Sequence, residues 1–367
     1  MNNEAERLAI LFTTCEGTLT GATQSTFYLA EGLAKRGHRI FVACPADSLL
    51  YSMLGSSSAK RVPVPFKGKF DLASIRAIRD LVRENGISII NAQSSADRYI
   101  SIFANRLFEL DLKVVHTRRQ LPMSSGGWLQ RKFYIGNTEK IVVVSESLKK
   151  TFVKNGYPES HLEVIFNGMT PDFFERASES KTATLREKYQ IEKNEVIVGC
   201  ISRFKNQAQL IAACRFLPES YTLMFVGIEV GAMDAFAKEF GIKNRIIYAG
   251  IVPREEVVDY YRIFDVFVLP STMDGFGLVL VEAMGLGVPV IGTRSQGIID
   301  VIDNEKNGLW FEDGNVEELA RKIILLVDDG NIKRERIANG LEAAHSRFTI
   351  QKTIDNYEAF FRSILRN

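Results

Sequence analysis

Apolar residues fall into short, β-branched runs separated by amphipathic stretches. The runs are LAILFT (8–13), RIFVA (39–43), ISII (87–90), KVVH (113–116), KIVVV (140–144) and EVIF (163–166). They continue with VIVGCI (196–201), TLMFVG (222–227), RIIYAG (245–250), DVFVL (265–269) and VPVIG (288–292). None alternates apolar with polar positions. Strands of a parallel sheet, covered on both faces, have this character. Between the runs the period changes to that of a helix. Asp71 stands as an N-cap before Leu72, Ile75, Ile78, Leu81 and Val82, and Gly86 ends the pattern. Thr26–Lys35 ends at Gly37 in the same way. Asn315 opens a helix with Leu319, Ile323, Ile324 and Val327 on one face.

Strand–helix alternation in both halves predicts two doubly wound α/β domains. The polar stretch 175–195 marks the boundary, giving a first domain over 1–178 and a second over 190–345. The final segment, 346–367, places Ile350, Ile354, Tyr357, Phe361 and Ile364 on one face. It predicts a helix that needs a partner, available if the chain crosses back to the first domain.

With 46 Lys and Arg against 44 Asp and Glu, no global field would draw the protein onto nucleic acid. The four cysteines lie far apart, which excludes a zinc ribbon and fits a reducing compartment. No run reaches the roughly 18 apolar residues of a membrane span, and the first apolar run is too short for a signal-peptide core. A cytoplasmic protein is expected. No metal-binding carboxylate cluster of the Asp-x-Asp kind accompanies the stretch 264–292.

The densest chemical signal is FDVFVLPSTMDGFGLVLVEAMGLGVPVIG, 264–292. A strand ends near Leu269, a loop runs through Pro270–Gly275, and a helix is expected from Phe276. Free amides of its first turn and the helix dipole make an anion site. Asp274 could be only an N-cap. Glu282 lies among small apolar residues, where a charge needs a partner. Arg203 and Lys205 follow VIVGCI, at a carboxyl strand end where ligands of this architecture bind.

Asp274, Phe276 and Gly277, then Glu282 with seven residues between the two acids, resemble the donor motif of retaining glycosyltransferases of family 4, glycosyl transferases group 1. SRFKNQAQLIAA (202–213), YAGIVPREEVVDYYRIFDVFVLPS (248–271) and NGLWFEDGNVEELARKIILLVDD (307–329) are similar to stretches of that family. So are TGATQSTFYLAEGLAKRGHRIFV (20–42), VVVSESLKK (142–150) and VIFNGMTPDFF (164–174). The resemblance implies the GT-B fold, two Rossmann-like domains facing a central cleft. It implies transfer of a sugar, with retention, from a UDP- or GDP-linked donor to a hydroxyl of a glycan or lipid-linked glycan. No cofactor and no metal are implied. Gly21, Gly275, Gly277 and the amides near Phe276–Leu278 would face the donor diphosphate with Arg203 and Lys205. Glu282 would take the ribose hydroxyls and Asp274 the transferred sugar.

Three positions depart from that pattern. Asp274 replaces the usual Glu, Lys205 stands two residues after Arg203 where about five is usual, and Arg119 occupies the place of a sugar-facing His. His116, Arg118 and Arg119 are the candidates for the acceptor or sugar side, with a strand-end core histidine as the plainer reading of His116. Segment 112–154 is basic, with Arg131, Lys132, Lys149 and Lys150 beside Trp128, Phe133 and Tyr134. It reads as a solvated face, an acceptor site, or a peripheral contact with anionic lipid on the inner membrane face. Two other functions remain: a nucleotide-sugar 2-epimerase of the same fold, and a non-catalytic nucleotide-sugar-binding protein.

Overall fold

The computed structural model describes residues 7–18, 20–120, 127–175 and 179–366. The chain divides into two compact units, Met1–Gly168 with Ile350–Asn367, and Met169–Thr349. Among the described residues the first unit holds seven strands: β1 (Ala9–Thr13), β2 (Arg39–Cys44), β3 (Lys60–Pro63), β4 (Ile89–Ala92), β5 (Lys113–Arg118), β6 (Lys140–Val143) and β7 (Leu162–Val164). The second holds β8 (Val196–Ile201), β9 (Tyr221–Val226), β10 (Ile246–Gly250), β11 (Val266–Leu269), β12 (Val290–Thr293) and β13 (Leu309–Phe311).

Every pairing is parallel, in the orders β3-β2-β1-β4-β5-β6-β7 and β10-β9-β8-β11-β12-β13. Each sheet reverses its winding once, between β1 and β4 and between β8 and β11. A crevice opens at the carboxyl ends of such a strand pair, and ligands of doubly wound folds bind there. Two strands escaped the sequence reading. β3 is an edge strand carrying Lys60, Arg61 and Pro63, and β13 has only three residues at the opposite kind of edge. β3 offers no buried apolar run, and the buried Leu309 and Phe311 of β13 make a run too short to stand out.

Helix signals were clearer. Asp71 accepts from the Ala73 and Ser74 amides at 3.1 and 3.3 Å, and Gly86 closes that helix at φ +53°. The helix expected from Thr26 begins earlier, at Gly21, because Thr20 caps it through the Thr23 amide. The last helix, Ile350–Arg366, buries Ile354, Tyr357, Phe360, Phe361 and Ile364 in the first unit. A Cβ on Gly32 would stand 2.1 Å from Ile354 Cδ1, so glycine is what lets helix Gly21–Lys35 approach it. Arg36 pairs with Asp355 and, at 2.7 Å, with Glu358.

The unit boundary lies at Gly168–Met169, ahead of the polar stretch 175–195 expected to contain it. The return to the first unit comes at Thr349–Ile350, against the expected 345–346. Helices Pro171–Glu175 and Glu179–Lys188 belong to the second unit. There the Phe174 ring lies 4.5 Å from His345, and Tyr189 meets the Tyr260 hydroxyl at 3.2 Å. The polar composition of this stretch reflects a helix, Glu179–Lys188, whose residues 181–188 are exposed or half-buried, rather than a linker. No helix among the described residues is long and apolar enough to cross a membrane.

Candidate active site

In the second unit, the loops after β8 and β11 stand on either side of the winding reversal. Lys205, from the first loop, donates from Nζ to Asp274 Oδ1 of the second. The sequence proposed both residues for the donor site, but nothing in it announced their contact. Asp274 Oδ2 is buried and has no hydrogen-bond partner. Arg203 is exposed. Gln207, 1 % exposed, shapes this loop. Its Oε1 accepts from the Lys205 amide at 2.6 Å, and its Nε2 donates to Ser202 Oγ and the Arg203 carbonyl at 2.8 and 2.7 Å. Gln209 ties the same region to the second loop, donating to the Pro270 carbonyl at 2.8 Å. The close Arg–Lys spacing is therefore compatible with a rigid, glutamine-pinned turn.

The helix after the second loop is Leu278–Gly285, two residues later than expected. Phe276 turns into the core, 4 % exposed and edge-on to Phe348 with centroids 5.5 Å apart. Gly277 takes the left-handed conformation, φ +82°, needed to start the helix after it. Leu278 and Val279 thus head the helix, where amides have no preceding turn to bond. Gly275 lies half-buried between Asp274 and this turn.

Glu282 is 3 % exposed and both its oxygens are taken. Arg254 Nη2 donates to Oε1, and the Tyr261 hydroxyl donates to Oε2 at 2.8 Å. Arg254 also lies 4.3 Å over the Phe173 ring. Burial, and then the Glu282 charge, push the Tyr261 phenol well above its ordinary pKa, so it stays a proton donor. The partner that a charge at 282 demanded is thus protein, and any donor hydroxyl shares the carboxylate with it.

Gly297, in the turn after β12, was not singled out by the sequence. Its φ is +81°, and a Cβ there would stand 2.2 Å from the Asp274 carbonyl oxygen and 2.7 Å from the Phe276 nitrogen. This close approach fixes the backbone that carries Asp274. Gly297→Ala is expected to cost about 1–3 kcal/mol in thermal unfolding and to weaken nucleotide binding. A variant with unchanged melting and unchanged nucleotide titration would show that the loop yields freely.

In the first unit, Gly21 opens the 15-residue helix Gly21–Lys35 on an exposed edge. Beside it, the Cys15 amide donates to Ser94 Oγ at 2.8 Å, joining the loops after β1 and β4. Arg119 is half-buried, and its Nη1 donates to Gln93 Oε1 at 2.6 Å. Arg118 is 8 % exposed, between the rings of Tyr134 and Phe152. His116 is fully buried, edge-on to Tyr134, and burial with the Arg98 and Arg118 charges keeps it neutral. As a sugar-side candidate His116 is corrected: it lies inside the sheet, at an interior position of β5, where no substrate atom reaches it. Arg98 and Gln93 carried no sequence signal, and Arg254 and Tyr261 lay in the stretch 248–271 without being singled out.

Part of the basic segment is engaged locally. Lys113 pairs with Glu139 at 3.3 Å, Lys149 with Glu159 at 3.0 Å, and Arg131 donates to the Asn155 carbonyl at 2.7 Å. Trp128 and Leu129 stay 63 % and 65 % exposed. The described residues contain no group of three or more His, Cys, Asp or Glu fit to hold a metal ion.

Two family models match successive parts of the chain: Glycosyltransferase Family 4 over residues 19–173 and Glycosyl transferases group 1 over residues 181–342. N-acetyl-alpha-D-glucosaminyl L-malate synthase of Bacillus anthracis is 24 % identical, over 96 % of this chain and 97 % of its own. The capsular polysaccharide biosynthesis glycosyltransferase CapM of Staphylococcus aureus is 27 % identical over 65 % of each chain. Among solved structures, HepE of Anabaena in complex with UDP superposes with a TM-score of 0.83 and 21 % identity, covering 97 % of this chain and all of HepE. Sucrose-phosphate synthase of Thermosynechococcus elongatus gives 0.81 and 18 %, over 98 % and 100 %.

Proposed function

The chain belongs to the family 4 glycosyltransferases and is an enzyme of the GT-B type, and from that premise we propose that it moves a sugar from a nucleotide-diphospho-sugar to a hydroxyl acceptor with retention. The observation that carries this reading is the Lys205–Asp274 pair at the second sheet's winding reversal, with the head of helix Leu278–Gly285 beside it. The departing diphosphate gains negative charge. Lys205, the exposed Arg203 and the amides at Leu278–Val279 offer preorganised positive charge and donors to meet it. Asp274 lies next to the lysine, where it faces the sugar joined to those phosphates, and Gly275 and Gly277 let the backbone come close. Glu282, held by Arg254 and Tyr261, receives the ribose.

The UDP and UDP-glucose complexes of HepE support a uridine-linked donor, with GDP as the other nucleotide to test. CapM and the lipopolysaccharide core mannosyltransferase LpsB of Rhizobium meliloti support a glycan or lipid-linked glycan acceptor in surface polysaccharide biosynthesis. Lysine on Asp274 supports charge neutralisation by side chains, without a metal ion. The test is a panel of UDP- and GDP-sugars read by thermal unfolding, then by donor hydrolysis and transfer in excess EDTA. A donor at 100 times its Kd raises stability by about 2.7 kcal/mol. Activity that disappears with EDTA and returns with Mn²⁺ would overturn the metal-free reading. Equilibration of the donor sugar without any acceptor would favour an epimerase.

Exposed Trp128 and Leu129 beside Arg131 and Lys132 support peripheral contact with an anionic membrane on the cytoplasmic side. At about 1 kcal/mol per basic residue, reversing both charges to Glu lowers liposome co-sedimentation roughly 30-fold or more. Unchanged sedimentation would return this helix to a solvated face.

A further inference from the structure

Three guanidinium groups gather at the carboxyl ends of β4 and β5, and the protein gives them little counter-charge. Arg98, on helix Ser95–Phe108, is 7 % exposed, and Arg118, the last residue of β5, is 8 % exposed. Arg98 Nη2 reaches two carbonyls, those of Gln93 and Thr117, both at a long 3.3 Å. Arg118 lies 5.6 Å from the Tyr134 ring centroid and 5.8 Å from that of Phe152. Gln93 joins the third group, since its side chain accepts from Arg119. The Nε atoms of all three arginines are buried without a hydrogen-bond partner.

The carboxylate facing this cluster is already saturated. Asp97 accepts from the Gln93 and Ser94 amides at 2.9 and 3.1 Å, from Thr13 Oγ1 at 3.3 Å and from Ser94 Oγ. Glu16, the other acid acting on Arg98 and Arg119, is exposed and screened. Desolvation and the Arg118 charge bring Arg98 down to about 10, still protonated at neutral pH. An arginine cannot relieve its burial by losing the proton. Ring contacts offset only part of the desolvation of a guanidinium. Two buried, adjacent, under-bonded arginines are therefore a site that lacks its anion.

We propose that Arg98 and Arg118, with Arg119 linked through Gln93, bind a carboxylate or phosphate carried by the acceptor. The cluster stands at the carboxyl ends of β4 and β5, next to the β1/β4 winding reversal where ligands of this architecture bind, and guanidinium forks suit both anions. Calling the ligand an acceptor rests on the transferase reading; the anion site itself does not.

The test uses the full chain with Arg203→Ala and Lys205→Ala, which removes the second unit's phosphate-facing charges. Thermal unfolding is followed against inorganic phosphate and against malonate, with chloride holding the ionic strength. A saturable rise is expected with at least one, and the stronger of the two identifies phosphate or carboxylate as the source. Arg118→Met and Arg98→Met each weaken that response about 10–100-fold, and Arg118→Lys recovers part of it. Anion-free Arg118→Met melts no lower than its parent, because an uncompensated buried charge has gone. No saturable response to either anion overturns the proposal, as does a response left intact by both methionine variants. Nucleotide-sugar binding is measured separately on the parent chain with Arg203 and Lys205 intact. An anion response in the variant beside a parent chain that binds no nucleotide sugar would defeat the transferase reading alone. Donor binding by the parent without an anion response in the variant would defeat this proposal alone.

Discussion

Lys205→Ala lowers transfer on the order of 10²–10³-fold, the usual consequence of removing one preorganised donor to developing charge. The lysine is the compact cation of the site, held by the Gln207-pinned turn and aimed across the winding reversal at Asp274. When a donor binds, its phosphates and Asp274 compete for the same ammonium. Asp274→Asn should therefore keep or tighten binding of the free nucleoside diphosphate while lowering transfer, because on the proposed reading its own partner is the sugar. Single-turnover transfer and nucleotide titration separate the two effects. A Lys205→Ala enzyme with normal turnover would remove lysine from the leaving-group role. Loss of nucleotide binding in Asp274→Asn would place Asp274 on the nucleotide instead.

Glu282→Ala is expected to destabilise the second unit by about 3 kcal/mol and to weaken donor and free nucleotide alike. Breaking a buried pair from one side leaves the other charge without compensation, and here Arg254 and the Tyr261 hydroxyl both lose their acceptor. Stability and binding can be pulled apart with the double variant Arg254→Met and Glu282→Leu. Replacing both partners by apolar groups restores much of the melting temperature but not the nucleotide affinity. If the double variant bound nucleotide like the parent enzyme, Glu282 would be a structural acid and its ribose role would fall.

The parallel sheets were legible because strands buried on both faces are written as unbroken β-branched runs. β3 was not, since an edge strand need not be apolar on both faces, and β13 was not, because three apolar residues are too short a run to announce a strand. Asp71, Gly86 and Asn315 announced helix ends through chemistry confined to four or five residues. Phe276 misled, because a core aromatic just ahead of a left-handed glycine looks like the first residue of a helix. The polar run 179–188 misled for a similar reason: a helix that faces solvent along most of its surface has the composition of a linker. Lys205, Asp274 and Glu282 were visible as motif residues, yet the partners that define them, Lys205 for Asp274 and Arg254 and Tyr261 for Glu282, come from other segments of the chain, 69, 28 and 21 residues away. Arg98 was invisible. One arginine inside an amphipathic helix looks like any solvated charge until the fold sets it against Arg118.

The helix Ile350–Arg366 also bears on how the molecule assembles. Residues 169–349 form a continuous unit whose ends meet, with Met169 bridged to Thr349 and its amide bonded to the Phe348 carbonyl at 2.8 Å. That unit has all its strands before the chain's last helix is synthesised. The first unit also has its strands by then but lacks a covering helix: the wall of Phe12, Leu29 and Leu33 stays open until Phe361 and Ile354 arrive. Closing so long a connection is cheap in entropy once the inserted piece has folded and its ends are adjacent. On the ribosome, the unit that begins synthesis first is therefore the last to be finished, and during that interval its bare apolar wall is the surface a chaperone would meet.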